Sequence, residues 1–400
     1  MLSAVSQRPP SLATQRPASA PAASTDRVEL GQRSADPAPP KKWTILIWSA
    51  SDNDLKSYMY QDLDEAEVVG SDANTNVVAQ FDHGGSTGAQ RIFLQPDSRD
   101  GLNSPIVERP GRTNMSDPHN LADFIRWGME KYPAERYMLI ISDHGDGWKG
   151  AAQDWSHNGW MSLPTIEQGL KEAREATGRK LDVVGFDACL MASTEVAHQL
   201  KNEADFLVAS QEVEGGDGWM YTKLLNPNML SELQTRLNSR IDMQPRQLAE
   251  HVVRMARANQ GDLPTMSATD LSKIPALTES VDRFAEAILN TSTSMSTLSG
   301  LADKTQQFTG YRDLYDFASR VRSSWKVRDG NLKEKARDVM DRLKEAVIAE
   351  QHSSSYPRAN GLTIELSETY STGDTARQYG DIALARDTRW DEAVSRIRGG

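Results

Sequence analysis

The chain has 400 residues, of which 25% are charged and 38% hydrophobic, with a formal charge of −11, so it is long enough for one large domain or two with an ample core. An acidic body argues against a nucleic-acid partner, and no apolar run approaches the ~20 residues of a membrane span. The single cysteine, Cys189, excludes internal disulfides, CxxC redox motifs and cysteine-rich metal sites.

Residues 1–42 hold seven of the eighteen prolines, six serines and a charge of +3, leaving −14 on the remainder. Such a segment cannot bury enough surface to offset its ordering entropy, which predicts a disordered leader. It lacks the apolar stretch of an ordinary secretory signal, and the sequence names no cellular location. Order is predicted from Trp43, where WTILIWSAS reads as a buried strand, followed by a turn at Asp52-Asn53-Asp54 and a helix over 55–69. NVVAQFD (76–82) is a second strand, RIFLQ (91–95) a short edge strand or hairpin, and 117–131 a helix with an apolar stripe.

Two stretches of like design come next. In RYMLIISDHGDGW (136–148) and LDVVGFDACLM (181–191) an apolar run stops at polar chemistry. SLPTIEQGLKEAREATG (162–178) between them has helical spacing and a terminal glycine. A strand-helix-strand unit implies parallel neighbours about 4.8 Å apart with a right-handed crossover. His144 and Cys189 then face one another at the carboxyl edge of the sheet, where ligands of open α/β sheets bind. Residues 193–203 continue as a helix, and DFLVAS (205–210) is one more strand running into QEVEGGDGW (211–219). Five or six parallel strands alternating with helices predict an α/β three-layer sandwich. From about 230 the pattern turns mainly helical: helices over 245–259, 277–290, 311–321 and 331–350, a loop over 291–299, strands at 266–270 and 361–366, and a last helix over 390–397. The expected organisation is a leader (1–42), a catalytic domain (43–229) and a mainly helical region (230–400) packed on it.

A thiol attacks carbonyls as thiolate, and an imidazole within reach can take its proton and later protonate the leaving amine. The amides of Gly145 and Cys189 are candidates for an oxyanion hole. Geometry alone leaves the plainer alternative, a core cysteine beside a turn histidine, equally open. A Cys-x5-Arg phosphatase loop fails because position 195 is Glu195, and the histidines lack zinc-ligand spacing. His83, after the second strand, is a rival base. In a doubly wound order it ends roughly three strand spacings, on the order of 14 Å, from Cys189.

The DHGDGW, FDACLM and SQEVEGGDGW segments, with SASDNDLKSY, MSATDLSKIPAL, YRDLYDFA and GLTIEL, resemble the clostripain family of cysteine peptidases, relatives of caspases and gingipains. The resemblance implies a caspase-like fold and a His144/Cys189 dyad cleaving peptide bonds after Arg or Lys. It also implies acids at the pocket base, with Asp187 and Asp217 at the matching positions. Proteins or peptides with basic residues are then the partners, and a monomer is expected. The alternative is an inactive member that binds basic peptides in the same cleft. No cofactor is required by the sequence. Calcium is implied for some members, with Asp52, Asp54 and the loop acids as candidates although no EF-hand spacing exists. Self-cleavage is implied too, with Lys149, Lys171, Arg174, Arg179 and Lys180 available between the histidine and cysteine, and Arg27, Arg33, Lys41 and Lys42 in the leader.

Overall fold

A computed structural model describes residues 40–225, 243–257, 261–368, 370 and 374–399. In chain order the strands are β1 (Lys41–Ser49), β2 (Thr75–Asp82), β3 (Ala89–Phe93), β4 (Ile106–Gly111), β5 (Ala134–Ser142), β6 (Ala151–Asp154), β7 (Gly159–Met161), β8 (Leu181–Asp187), β9 (Ala204–Ala209), β10 (Thr265–Asp270), β11 (Gln307–Phe308), β12 (Tyr311–Asp313), β13 (Val347–His352) and β14 (Thr363–Ile364). Nine of them form one mainly parallel sheet in the order β13-β10-β9-β8-β5-β1-β2-β3-β4. The five middle strands are mutually parallel. Each end carries an antiparallel pair, β3–β4 and β10–β13.

The middle strands read as unbroken apolar runs because both faces are covered. Leu46, Trp48, Leu139 and Ile141 point into one core layer, and Ile45, Ile47, Met138 and Ile140 into the other. The first layer is closed by α2 (Pro118–Lys131), α3 (Leu163–Thr177) and α4 (Thr194–Leu200), and the second by α1 (Lys56–Val69), α5 (Tyr221–Leu225) and α6 (Pro245–Ala256). The crossover helix α3 starts where the Ser162 side chain accepts from the Thr165 N–H and stops at Gly178, which is left-handed. The first layer is extended by α7 (Ile274–Asn290), α8 (Met295–Asp303), α9 (Leu314–Ser323), α10 (Gly330–Ala346) and the helix Trp390–Arg398. A compact unit spans Pro40–Gly400. The boundary placed near residue 230 lies outside the described residues, and β10 and β13 from beyond it pair with the central sheet.

Several elements differ from the sequence expectation. The helix expected over 331–350 ends at Ala346, and Val347–His352 is a strand instead. Its first residue, the β-branched Val347, pairs with Thr269 of β10, and that tertiary partner overrides helical spacing. The loop expected over 291–299 is cut short by α8, whose N-cap Ser294 accepts from Thr297. Tyr311–Asp313 is a strand, and Asp313 caps the helix that follows. Lys41 and Lys42 belong to β1 rather than to the leader, and the Lys42 N–H donates to the Asn74 carbonyl.

Candidate active site

Ser142 at the end of β5 is the register partner of Asp187 at the end of β8. His144 and Cys189 therefore sit two residues beyond neighbouring strand ends, and the Asp143 N–H donates to the Asp187 carbonyl across the gap (3.2 Å). Both side chains line one cleft of about 210 Å³. Gly145 is packed on the cysteine so closely that a Cβ there would stand 2.4 Å from the Cys189 carbonyl oxygen. Gly145 bridges Ala151, but the two hydrogen bonds closing that bridge come from the Asp146 and Ala152 N–H groups. The Gly145 N–H is thus not used in it. After Cys189 the chain turns through Leu190 at φ 69°, a left-handed conformation disfavoured for a γ-branched residue. The Cys189 thiol points to the Glu214 carbonyl (3.8 Å), and burial pushes its pKa up.

The partner of His144 comes from a distant loop. His144 Nε2 lies 2.9 Å from Asp54 Oδ1, in the turn after β1. Asp143, beside the histidine in sequence, is buried and accepts instead from Asn53 Nδ2 (2.7 Å) and from the Gln153 N–H. His83 follows β2, which is separated from β8 by β1 and β5, and packs edge-on against Phe81. The sequence-derived strand order therefore matches the observed one, and His83 is not among the cleft residues.

The floor of the cleft is acidic. Asp187 is buried and accepts from Tyr221 Oη (2.9 Å) and the Trp219 N–H (3.2 Å). Glu214 is buried beside it, and no N–H or O–H group donates to either of its carboxyl oxygens. Asp62, on the inner face of α1, completes the set. None of the three takes part in an ion pair among the described residues. Burial raises the pKa of all three carboxyls, and the charges bearing on Asp62 (Asp187, Glu65 and Asp217) are all acidic. Gly218, at φ 48°, lets the loop pass Asp187 at a distance where a Cβ would meet Oδ1 at 2.9 Å. Asp217 itself is exposed on the outer side of that loop, and its neighbours Gly216 and Gly218 line the cleft. Sequence reasoning missed Asp62 and Glu214. Their signal was an acid on a buried helix face and a second acid within the QEVEGGDGW loop.

The sequence model of the clostripain family matches residues 47–395. The chain belongs to the clostripain family of cysteine peptidases. It is 27% identical over 225 residues to the clostripain of Hathewaya histolytica, an alignment covering 46% of this chain and 42% of that protein. The chain thus spans less than half the length of the curated relative it matches. In fold it is similar to a secreted C11 cysteine protease from Bacteroides thetaiotaomicron solved with an irreversible peptide inhibitor (TM-score 0.66, 20% identity, 88% of this chain and 99% of that one). It is also similar to an inactive zymogen C11 protease from Parabacteroides distasonis (TM-score 0.64, 19% identity, 88% and 99%).

In this clostripain-family chain the carboxy-terminal part holds the site loops in place. Tyr311 Oη donates to the Asp146 carbonyl and Trp148 Nε1 to Glu365, pinning the histidine loop. Gln211 bonds Asp313 and the Gly361 N–H, and Glu212 accepts from Thr309, pinning the acidic loop. Asp52, Asp82 and Asp154 form a separate carboxylate cluster whose oxygens all lie within 4.8 Å of one another. Burial, aided by the other two acids, pushes Asp82 up to about 6. Such hard oxygen donors fit calcium. Of the residues expected from the sequence Asp52 belongs to this cluster, whereas Asp54 is turned to His144.

Proposed function

We propose that this chain is a cysteine endopeptidase that cleaves after Arg or Lys, with Cys189 as nucleophile and His144 as its base. The observation that carries the specificity is the buried set of Asp62, Asp187 and Glu214 on the floor of the cleft that His144 and Cys189 line. A guanidinium or ammonium reaching that floor supplies the counter-charge the acids lack, and a neutral side chain leaves them buried and unpaired. Asp217, on the rim, adds negative potential, since its charge reaches Asp62 and Glu65.

Burial disfavours a resting thiolate at Cys189, so His144 acts as general base during attack. The sulfur bonds to the carbonyl carbon, and the thiol proton passes through the imidazole to the leaving amine as the C–N bond breaks. Water, deprotonated by the same imidazole, then hydrolyses the thioester. The N–H groups of Gly145 and Cys189 are the donors this reading assigns to the oxyanion. Where calcium acts on this chain, Asp52, Asp82 and Asp154 are the residues to hold it, and it would neutralise their crowded charge. Proteins and peptides with basic residues are the partners of this reading.

Cleavage of Arg-, Lys- and Ala-coumarin peptides by wild type, Cys189→Ala and His144→Ala is the test. Activity confined to the basic substrates and lost in both variants is expected. Activity surviving in Cys189→Ala would overturn the mechanism, and equal cleavage of the Ala peptide would overturn the specificity. Tight binding of basic peptides without cleavage by wild type would identify an inactive binder.

A further inference from the structure

The turn after β1 assigns one task to each of three consecutive residues. Asp52 accepts from the Ser156 N–H of the β6–β7 hairpin (2.9 Å). Asn53 is buried, and its Nδ2 donates to the Ala50 carbonyl, to Asp143 Oδ1 and to the Gln153 carbonyl, while its Oδ1 accepts from the Leu55 N–H. Asp54 then meets His144 Nε2 at 2.9 Å. The Asn53 side chain therefore grips both the backbone on either side of Asp54 and the residue next to His144. β1 and β5 are themselves in register, Ser49 opposite Ser142. The Asp54–His144 contact is set by a buried network rather than by two free surface side chains meeting.

The Asp54 side chain is 63% exposed and that of His144 34%, and an exposed ion pair of this kind adds little to stability. Its effect on the imidazole is chemical. A carboxylate on Nε2 fixes the tautomer with Nε2–H donating, which leaves Nδ1 as the lone-pair nitrogen for the thiol. Asp143, the nearer acid in sequence, is committed to Asn53 and Gln153 and cannot do this.

We propose that Asp54 is a positioning residue for the reaction, fixing the tautomer and orientation of His144. This rests on the reading of His144 and Cys189 as base and nucleophile. The experiment measures kcat, KM and thermal midpoint for Asp54→Ala, Asp54→Asn and Asp54→Glu in the full chain on an Arg-coumarin peptide, beside Cys189→Ala. The expected result is a fall in kcat of roughly 10- to 100-fold for Ala and Asn, with KM within about twofold, the midpoint unchanged, and partial recovery of kcat in Glu. Wild-type kcat in Asp54→Ala overturns the proposal, as does a loss that tracks a lowered midpoint or falls wholly on KM. Full activity in Cys189→Ala sinks the underlying reading instead, and the two failures are told apart by which variant survives.

Discussion

Glu214 lies buried beside Asp187 on the cleft floor, and burial, then the Asp187 charge, raises its pKa well above that of an ordinary glutamate. Crowding two buried carboxyls without a counter-charge favours keeping a proton on the pair. A basic side chain that enters the cleft competes with that proton. With an Arg-peptide ligand and Cys189→Ala protein, calorimetry in buffers of different ionisation enthalpy should report net proton release at pH 7, and a neutral peptide none. A binding enthalpy independent of buffer would mean that the acids are already ionised.

The same acids make stability depend on pH with a definite sign. Asp62 is raised to about 10 by burial first and then by Asp187, whereas in the unfolded chain it titrates near 3.9. The folded state binds the extra proton, so stability is highest below the unfolded value and falls as pH rises toward 10. Asp62→Asn should therefore stabilise the protein more at pH 8 than at pH 5, by a few kcal/mol, about 1.4 per pH unit, read as a larger rise in thermal midpoint at pH 8. An equal shift at both pH values would contradict it.

Glu214→Gln should cut kcat/KM for Arg and Lys substrates about tenfold or more, because it removes the buried charge that the substrate cation meets. Asp217→Asn, on the exposed rim, should cost about twofold to fivefold and lose its effect in high salt. Steady-state assays at low and high ionic strength separate the two, and a larger loss at Asp217 would reverse their ranking.

Gly145→Ala should nearly abolish turnover while leaving the protein folded. The added methyl has no room beside the Cys189 carbonyl, so it must displace either the oxyanion donors or the nucleophile. A loss of about 100-fold or more in kcat is expected, read together with circular dichroism. Retention of wild-type kcat would remove Gly145 from the site.

Self-trimming should fall at Arg27 or Arg33. Lys41 and Lys42 are strand residues, Lys41 opposite Ala134, and a peptidase needs extended, unpaired chain. Within the His144–Cys189 interval, Lys171 and Arg174 lie in α3, Arg179 binds the carbonyls of Ala134 and Glu135, Lys180 pairs with Asp205, and the Lys149 carbonyl accepts from Trp160 Nε1. Mass spectrometry of active protein should find new amino termini after 27 or 33 and an unbroken chain between 144 and 189. A cut in that interval would refute this.

The strand ends were legible because parallel strands buried on both faces are written as uninterrupted apolar runs. Counting two residues past each run is enough to place His144 beside Cys189 and His83 away from them. Asp54 was hidden because the bond to His144 joins loops 90 residues apart, and local spacing points to Asp143 instead. In the acidic loop the sequence shows that acids are present, but not which one the turn faces inward. Glu214 is buried and Asp217 exposed only because the chain bends at Gly218 around Asp187. The end of α10 was missed for another reason, since helical spacing carries on past Ala346 while the partner strand that claims Val347 lies some 80 residues earlier.

The outermost strand β4 bears on how the sheet meets other extended chains. Five of its six residues are exposed, its pairing with β3 slips register twice, and its sequence IVERPG places Glu108, Arg109 and Pro110 along the rim. Charge, irregular pairing and a residue without an N–H spoil this border as a template for a further strand. Extended peptide backbone therefore finds a poor seat on this border of the sheet.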